Sequence, residues 1–384
     1  MNSFKWSLVW PILLTFLIPL TVAWFVYPDH LPPGFGIFPP QFVADPPGFN
    51  LWVFLLVLVL ALLVTAIALV PSWFGFKGGT PQPLPPPIAK GLPWWFWVGL
   101  VLNLFFWWLM WARTTPFGDL VYYAFTPMWW GFILLLDGVV YWRRGGYSLI
   151  ATKPKVFWVS ALVSVLAWAY FEFFDYFVLA NWSYPNGFMS ELSHATVVVI
   201  FLAAYTTVWP AVFVWYSLLT SFPTVVARYQ NGPKIPLSGD LLIGVGLLLL
   251  ALVVVWPYPF FWTIWIAPMA VLTGVLIKLG IWNPMQALAE GNWAPAILIA
   301  LGSMFNGFFW EFWNYGSAHP AEPVTNPNYW IYSVPYVDIG HFFSEMPVLG
   351  YYGYLPLGVL VWLLFVWAGE LFGFDTDIDL NQPQ

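Results

Sequence analysis

Residues 51–70 read LWVFLLVLVLALLVTAIALV, a run without a charged side chain. Because the hydrocarbon core of a bilayer is about 30 Å thick, an apolar helix of about 20 residues can cross it, and this run predicts such a helix. The whole chain has the same character, since 61% of its 384 residues are hydrophobic and 7% are charged. Soluble domains carry about 25% charged residues, so the composition excludes a soluble enzyme and predicts an integral membrane protein.

The numbers of charged, Cys and His residues exclude further classes of protein. With 11 Lys and Arg residues, a net charge of −6 and no basic run, the chain cannot neutralise a phosphate backbone, which excludes nucleic acid as a partner. Cys is absent, which excludes disulfides, thiolate metal sites and Cys nucleophiles. The four His residues are too few for a multi-haem centre.

Long apolar runs recur along the chain and predict an all-α fold, a polytopic membrane protein with about ten transmembrane helices. The predicted spans are 7–27, 51–70, 94–111, 121–142, 156–176, 195–219, 241–255, 260–279, 295–315 and 342–372. The last span is too long for one straight helix and contains Gly350, Gly353 and Pro356, which predict a bend or a re-entrant start.

The distribution of positive charge gives an independent prediction of topology, because Lys and Arg concentrate in cytoplasmic loops. With the N-terminus in the cytoplasm, only Arg113 of the 11 cations falls on the outer side. If the helix count were wrong by one, the cations would be distributed over both sides of the membrane. We therefore expect a multi-pass protein of the cell membrane with its N- and C-termini in the cytoplasm.

Two parts of the chain align with each other over several short motifs. Phe171-Glu172-Phe173-Phe174-Asp175-Tyr176 aligns with Trp310-Glu311-Phe312-Trp313-Asn314-Tyr315, and the loop Trp182-Ser183-Tyr184 aligns with Trp330-Ile331-Tyr332. Glu191-x-x-His194 then aligns with Asp338-x-x-His341. Chance similarity of apolar sequence is the alternative, but acids and histidines recurring in the same order favour a duplicated four-helix repeat with a shared pocket on its symmetry axis.

A proline-rich stretch marks the boundary between modules. Prolines at 81, 83, 85, 86 and 87 predict a polyproline-type linker. The predicted organisation is a two-helix N-terminal membrane module (1–76), a Pro-rich cytoplasmic linker (77–93), a first four-helix repeat (94–230), a second four-helix repeat (231–372) and an acidic C-terminal tail (373–384).

Glu172 and Glu311 most need an explanation, since a charged group inside a membrane helix costs about 2.5–3.5 kcal/mol. Each has a polar residue three positions later on the same helical face, Asp175 or Asn314. One hypothesis is structural: the carboxylates cap neighbouring helices or accept hydrogen bonds from Trp and Tyr side chains of the loops. The other is functional: a buried carboxyl that keeps its proton acts as a general acid towards an apolar substrate.

Glu191 with His194, and Asp338 with His341, place an acid and a His three residues apart at predicted helix starts. Two such pairs and one Glu from each of two other helices form the ligand set of a dimetal site, so a pair of divalent transition metal ions is the one cofactor that the sequence leaves open. The alternative is that each acid interacts with a helix dipole and each His is an ordinary interfacial residue.

Aromatic residues make up 22% of the chain, more than interfacial belts require. The excess predicts an aromatic-lined cavity that suits a long apolar or conjugated ligand. Its rings would also stabilise a transient carbocation.

Two motifs carry a resemblance to known families. The stretches Trp310-Glu311-Phe312-Trp313-Asn314 and Glu345-Met346-Pro347-Val348-Leu349-Gly350-Tyr351-Tyr352-Gly353-Tyr354 resemble a family of uncharacterised bacterial polytopic membrane proteins, which implies no activity. More distantly, the repeated order of an intramembrane Asp or Asn, a Trp-x-Tyr loop and an acid resembles the small-subunit type of membrane lycopene cyclase. Such enzymes protonate a polyene end group without a redox change.

The cyclase resemblance implies roles for particular residues. Asp175 and Asn314 match the aspartate position, and Glu345 matches the acidic end of the motif. The loop residues are matched by Trp182, Tyr184, Trp330 and Tyr332. The chain departs from the cyclases in having a single Glu345 before Pro347, where they carry a Pro-x-Glu-Glu cluster.

The function predicted from these features is binding, with acid-catalysed rearrangement, of a polyisoprenoid, carotenoid or other long apolar lipid in a pocket towards the outer leaflet. The predicted catalytic residues are Glu172, Asp175, Glu311 and Glu345, and the predicted substrate-binding residues are Trp182, Tyr184, Asn314, Trp330 and Tyr332. The expected partner is a membrane lipid or isoprenoid, and no protein partner is identified. A transporter, a dimetal membrane enzyme and a non-catalytic subunit of a membrane complex are the alternatives. The lack of a predicted Gly- or Pro-broken helix in both halves counts against coupled transport.

Overall fold

The regular secondary structure of the chain is almost entirely helical in the computed structural model, which describes residues 3–380. The α-helices are α1 (Ser3–Val26), α2 (Leu51–Leu69), α3 (Trp94–Ala112), α4 (Phe125–Arg143), α5 (Leu149–Thr152), α6 (Pro154–Phe177), α7 (His194–Tyr205), α8 (Val208–Leu219), α9 (Pro223–Arg228), α10 (Gly239–Val255), α11 (Pro257–Phe260), α12 (Thr263–Lys278), α13 (Ala294–Ala318) and α14 (Tyr354–Phe372). Short 3-10 helices lie at Pro71–Phe74, Gly118–Tyr123, Gln286–Glu290 and Val348–Gly353. The two short strands are β1 (Trp182–Ser183) and β2 (Ile331–Tyr332). Residues 1–2, and the last part of the predicted acidic tail at 381–384, lie outside the described range.

Seven helical segments within residues 3–380 are long and apolar enough to cross a membrane. They are Lys5–Val26, Leu51–Leu69, Trp94–Ala112, Pro154–Phe177, His194–Leu219, Ala294–Ala318 and Val348–Phe372. The shorter apolar helices α10 and α12, together with α4, occupy the other three predicted spans. Every predicted span therefore contains a helix, whereas seven rather than ten segments have the length and composition of a membrane-spanning helix.

Most of the basic loops meet at one end of the helix bundle, which we call the basic end. Lys5 Nζ donates to the Leu371 carbonyl at 2.9 Å, so α1 begins where α14 ends. Lys153 Nζ pairs with Asp377 Oδ2 at 2.6 Å, which brings the start of α6 and the acidic tail to the same end. The linker is also held there, because Ile88 N donates to the Gly145 carbonyl at 2.7 Å and the adjacent Arg144 interacts with Asp379 of the tail. The opposite end, where β1 and β2 lie, is called the strand end.

The span predicted at 195–219 is interrupted. It consists of α7 and α8, which are separated at Thr206 and Thr207. The buried Ser164 of α6 lies at this break, where its hydroxyl donates to the Tyr205 carbonyl and accepts a hydrogen bond from Trp209 N at 3.2 Å. Backbone groups released by the break are thus paired by a neighbouring helix, as an apolar surrounding requires.

The span predicted at 342–372 begins later than expected. Residues 342–347 are not helical, Val348–Gly353 forms a 3-10 helix, and α14 starts at Tyr354. The predicted start was wrong for a local reason: Met346 precedes Pro347, and the residue before a proline disfavours the helical conformation. Met346 N is instead paired with Ser344 Oγ at 2.8 Å. The predicted irregularity is present as the 3-10 helix.

Two helical hairpins, α3 with α4 and α10 with α12, pack through glycine. A Cβ on Gly131 of α4 would lie 2.5 Å from Asn103 N of α3, and a Cβ on Gly246 of α10 would lie 2.7 Å from the Ala267 carbonyl of α12. Because the atoms that would be overlapped belong to the backbone, neither helix pair could approach as closely with a larger residue. Between the hairpins, α13 packs against both α8 and α14.

The helix α2 lies at the edge of the bundle. Ala61 is its buried residue, and the surrounding Leu and Val side chains are largely exposed. Its hydrogen bonds to other segments lie at its start, at Thr65 and at its end. Asn50 N donates to the Tyr336 carbonyl at 2.9 Å, and Thr65 Oγ1 lies 2.6 Å from the Tyr352 hydroxyl. At the end, the Ala68 carbonyl accepts from Tyr229 OH at 2.7 Å and the Leu69 carbonyl accepts from Arg228. This helix is therefore held less tightly than the buried helices of the bundle.

Candidate functional site

The two Trp-x-Tyr loops lie side by side at the strand end. The strands β1 and β2 pair in antiparallel fashion, with Trp182 opposite Tyr332 and Ser183 opposite Ile331. Residues that are far apart in sequence thus form one small structure, and each loop faces the buried carboxylate of its own half of the chain.

Glu172 is the centre of what we call the first carboxylate site. It is buried on α6 and accepts four hydrogen bonds, each from an aromatic side chain. Oε1 accepts from Trp168 Nε1 at 3.0 Å, Tyr184 OH at 2.7 Å and Tyr205 OH at 2.8 Å, and Oε2 accepts from Trp182 Nε1 at 3.2 Å. Both oxygens act only as acceptors here, which is the bonding pattern of a carboxylate.

Glu311 is the centre of the second carboxylate site and is buried on α13. Oε1 accepts from Tyr332 OH at 2.7 Å and Tyr354 OH at 2.6 Å, and Oε2 accepts from Ser344 Oγ at 3.3 Å. Trp330 Nε1 supports this site indirectly by donating to the Tyr332 hydroxyl at 2.9 Å. The structural hypothesis for the two Glu residues, hydrogen bonding to Trp and Tyr side chains of the loops, matches this geometry.

Asp175 and Asn314 hold the backbone of the two tryptophans. Asn314 Oδ1 accepts from Trp330 N at 3.0 Å while Nδ2 donates to the Trp330 carbonyl at 2.8 Å. Asp175 Oδ1 accepts from Trp182 N at 3.2 Å, but its buried Oδ2 has no partner within residues 3–380. Both side chains therefore position a loop, and neither lines the cavity described below.

Two tyrosines that donate to the carboxylates were not among the predicted site residues, and both lie at helix interruptions. Tyr205 is the last residue of α7 before the break, and Tyr354 is the first residue of α14 after the 3-10 helix. The two sites also differ in one donor: Trp168 contributes to the first, whereas the aligned Gly307 leaves the space that the Tyr354 ring fills, since a Cβ there would overlap that ring.

A cavity of about 990 Å³ is lined by the aromatic hydrogen-bond donors of both sites. Trp168, Trp182, Tyr184, Tyr205, Trp330, Tyr332 and Tyr354 contribute to its wall, and one face of α2 lines it as well. The two carboxylates lie behind these rings and do not line it. Polar groups are sparse in the wall, among them Asn328, whose buried Oδ1 has no partner in the described part of the chain. The cavity is thus suited to an apolar molecule.

Glu345 is not part of this arrangement. Its Oε1 accepts from Tyr329 OH at 2.7 Å and lies 3.0 Å from His319 Nε2, in a separate group at the strand end. Burial and the adjacent Glu345 carboxylate raise the pKa of the Tyr329 hydroxyl. The predicted catalytic residue Glu345 therefore belongs to neither carboxylate site, and it does not line the cavity.

The predicted metal ligands are not assembled either. Within residues 3–380, no group of three or more His, Asp or Glu side chains is placed to hold a metal ion. His341 Nε2 lies 3.1 Å from Asp338 Oδ1 in an irregular segment, and His194 stacks on Phe188 at 4.7 Å. The dimetal prediction assumed that both acid-x-x-His pairs lie on helices, but residues 338–341 are not helical and Glu191 precedes α7. The residues present do not fit a carboxylate-bridged metal pair.

Comparison of the chain with protein-family models, with curated proteins and with solved structures gives no match. The resemblance to a bacterial membrane protein family and to lycopene cyclases therefore stays a prediction.

We expect the two carboxylate sites to respond differently when the Glu is replaced by Gln. In Glu172→Gln, the new amide nitrogen at the Oε2 position would face Trp182 Nε1, which can only donate. In Glu311→Gln, the new amide nitrogen would face Ser344 Oγ. This hydroxyl can accept a hydrogen bond from the amide while it donates its own proton to the Met346 carbonyl at 3.0 Å. We expect Glu172→Gln to lose about 1–3 kcal/mol of stability and Glu311→Gln much less. Thermal melts of both variants in detergent test this, and an equal or reversed loss would contradict the described hydrogen bonds.

Asp175 and Asn314 provide a second pair of reciprocal variants. Asp175→Asn should be neutral or stabilising by about 1 kcal/mol, because an amide nitrogen at the orphaned Oδ2 could donate to the Trp182 carbonyl as Asn314 does to Trp330. Asn314→Asp removes that donor and should destabilise the protein. The measurement is again the thermal melt, and a destabilised Asp175→Asn would show that the free oxygen has another role.

Proposed function

We propose that this membrane protein binds a long apolar lipid, of the polyisoprenoid or carotenoid class, in the cavity between the two carboxylate sites. The observation that carries the proposal is the cavity of about 990 Å³, which is walled by Trp and Tyr rings and lies at the upper end of the usual size for ligand pockets. Aromatic walls with few polar groups favour an apolar ligand over a sugar, a peptide or an ion.

The entry route that we propose is lateral, from the lipid phase beneath α2. Val57, Leu60 and Ala61 of this helix line the cavity, while Leu62 and Leu63 point away from the protein. Since no hydrogen bond within residues 3–380 joins the part of α2 between Asn50 and Thr65 to another segment, a small displacement of that part would open the cavity to lipid without unfolding the bundle.

The internal repeat is part of the same proposal. Residues 94–230 and 231–372 each supply a glycine-packed hairpin, a buried Glu, a Trp-x-Tyr loop and a helix interruption that ends or begins with a Tyr. These parallels support a pseudo-twofold axis that passes near the paired strands. A cell-membrane location with both termini in the cytoplasm is supported by the common position of the basic loops.

Acid-catalysed rearrangement of the ligand is the further step that we propose to test. Because the rings cover both carboxylates, a proton would have to pass through a tyrosine: a protonated Glu172 would donate to the Tyr205 oxygen while the Tyr205 hydroxyl proton moved to the ligand. The ligand would become a carbocation, which the surrounding rings stabilise. This transfer leaves Glu172 as a carboxylate, and the proton that the product then loses returns through Tyr205 to restore the carboxylic acid.

A transporter is a second candidate, and the helix interruptions favour it. Sequence patterns predicted no broken helix in both halves, yet α7 and α8 are separated beside Tyr205, and α14 follows a 3-10 helix at Tyr354. Transporters place such interruptions at their binding sites. Here the interruptions lie beside an apolar cavity that Tyr205 and Tyr354 line, so the same lipid is the proposed cargo.

Two substitutions on α2 test the binding proposal. Ala61 lines the cavity and is buried, whereas the next residue, Leu62, does not line it and is 58% exposed. We expect Ala61→Trp to reduce the apolar lipid that co-purifies with the protein by roughly tenfold or more, because the indole would occupy volume that the lipid fills and overpacking a filled site costs about 1–3 kcal/mol. Leu62→Trp should leave it unchanged. Lipid extraction and mass spectrometry of protein purified in a lipid-preserving polymer provide the measurement.

The proposal would be abandoned if folded wild-type protein carried no specifically enriched apolar lipid, or if both Trp variants kept it equally. Turnover by the wild-type protein of an added polyene in detergent, lost in Tyr205→Phe, would distinguish an enzyme from a transporter. Vesicle uptake without chemical change would favour the transporter.

A further inference from the structure

A groove at the basic end, separate from the cavity, is formed by the proline-rich linker and the end of α4. It has a volume of about 400 Å³. Its lining consists of the linker residues Leu84, Pro85, Pro87, Ala89, Lys90 and Gly91, together with Trp142, Arg143, Arg144 and Gly145. Three of its lining residues are cations, Lys90, Arg143 and Arg144, and the lining contains no Asp or Glu. This is an unusual concentration in a chain with 11 Lys and Arg residues in 384.

The groove is a fixed feature of the fold because the linker is hydrogen-bonded to the turn after α4. Ile88 N and Ala89 N both donate to the Gly145 carbonyl, at 2.7 and 2.9 Å. Gly145 has a φ of +62°, and a Cβ on it would lie 2.8 Å from Pro87 Cα. Glycine at this position therefore permits both the turn and the close approach of the proline segment that forms the opposite wall.

Two of the three cations have unused bonding capacity. Arg143 Nε donates to Ser221 Oγ at 2.9 Å and its guanidinium stacks on Phe222 at 3.7 Å, which orients the group, but its Nη1 has no partner in residues 3–380. Lys90 is exposed and makes no hydrogen bond or ion pair within the same range. Arg144 differs, because it is buried and interacts with Asp379 of the tail. An oriented guanidinium beside a free ammonium is an arrangement that binds phosphate.

We propose that this groove binds the phosphate of an anionic membrane lipid. The exposed Trp142 in its wall selects a lipid over a soluble phosphate compound, since exposed tryptophans at helix ends mark the membrane–water interface. Basic pockets between helix ends on the cytoplasmic side bind anionic headgroups in other membrane proteins. The groove does not depend on the proposed ligand of the large cavity, so either proposal can fail alone.

The test is a competition between lipids on the full-length protein. Protein is reconstituted in nanodiscs with equal amounts of phosphatidylglycerol and phosphatidylcholine, and the lipids that stay bound are counted by native mass spectrometry. The wild-type protein should retain phosphatidylglycerol preferentially. Each cation lost from the groove should reduce that preference roughly fivefold. Lys90→Gln should therefore reduce it, and Lys90→Gln with Arg143→Gln should nearly abolish it.

The matched control removes two other exposed cations from the same end, Lys77→Gln with Lys234→Gln, and should keep the preference. Lys90→Arg should keep it too. Lys90→Gln removes no hydrogen bond or ion pair within residues 3–380, so we expect the variant to fold as the wild-type protein does. Equal preference in the wild-type protein, the groove variants and the control would overturn the proposal. Displacement of the lipid by millimolar inorganic phosphate would overturn the lipid assignment in favour of a soluble phosphate ligand.

Discussion

A carboxylate buried within a membrane helix must receive hydrogen bonds, because no water is present to solvate it. In this protein Glu172 and Glu311 receive them from aromatic side chains, most of which come from other segments of the chain. Each carboxylate therefore draws a loop and a neighbouring helix towards its own helix. The Trp-x-Tyr loops, their pairing through β1 and β2, and the positions of the helix interruptions all follow from this requirement.

The same requirement shapes the cavity. Trp and Tyr have a polar atom at one edge and apolar faces, so a ring whose N–H or O–H points at a buried carboxylate presents its face to the space on the other side. With several such rings around each carboxylate, an apolar cavity forms between two charged groups that it does not contact. Binding of an apolar lipid and retention of two buried acids are thus compatible in one structure.

Much of the fold could be predicted from the sequence, because long apolar runs and prolines act locally. The carboxylates and their loops were also predicted, since Glu172 with Trp182 and Glu311 with Trp330 recur in the same order. Tyr205 and Tyr354 were missed because they lie 33 and 43 residues after the Glu residues that they bind, and helix interruptions determine their position. The metal prediction failed where it required helical spacing in the irregular segment around Asp338 and His341. Spacing implies a common helical face only if a helix is present.

The central claim is that an apolar lipid occupies the cavity between the two carboxylate sites. It is tested most directly by an experimental density map of the protein extracted from its native membrane in a lipid-preserving polymer. The predicted result is continuous elongated density between the rings of Trp182 and Trp330 that extends beneath α2, with Glu172 and Glu311 still covered by their tyrosines. A map in which the cavity holds only ordered water, or in which α2 has closed it, would contradict the claim.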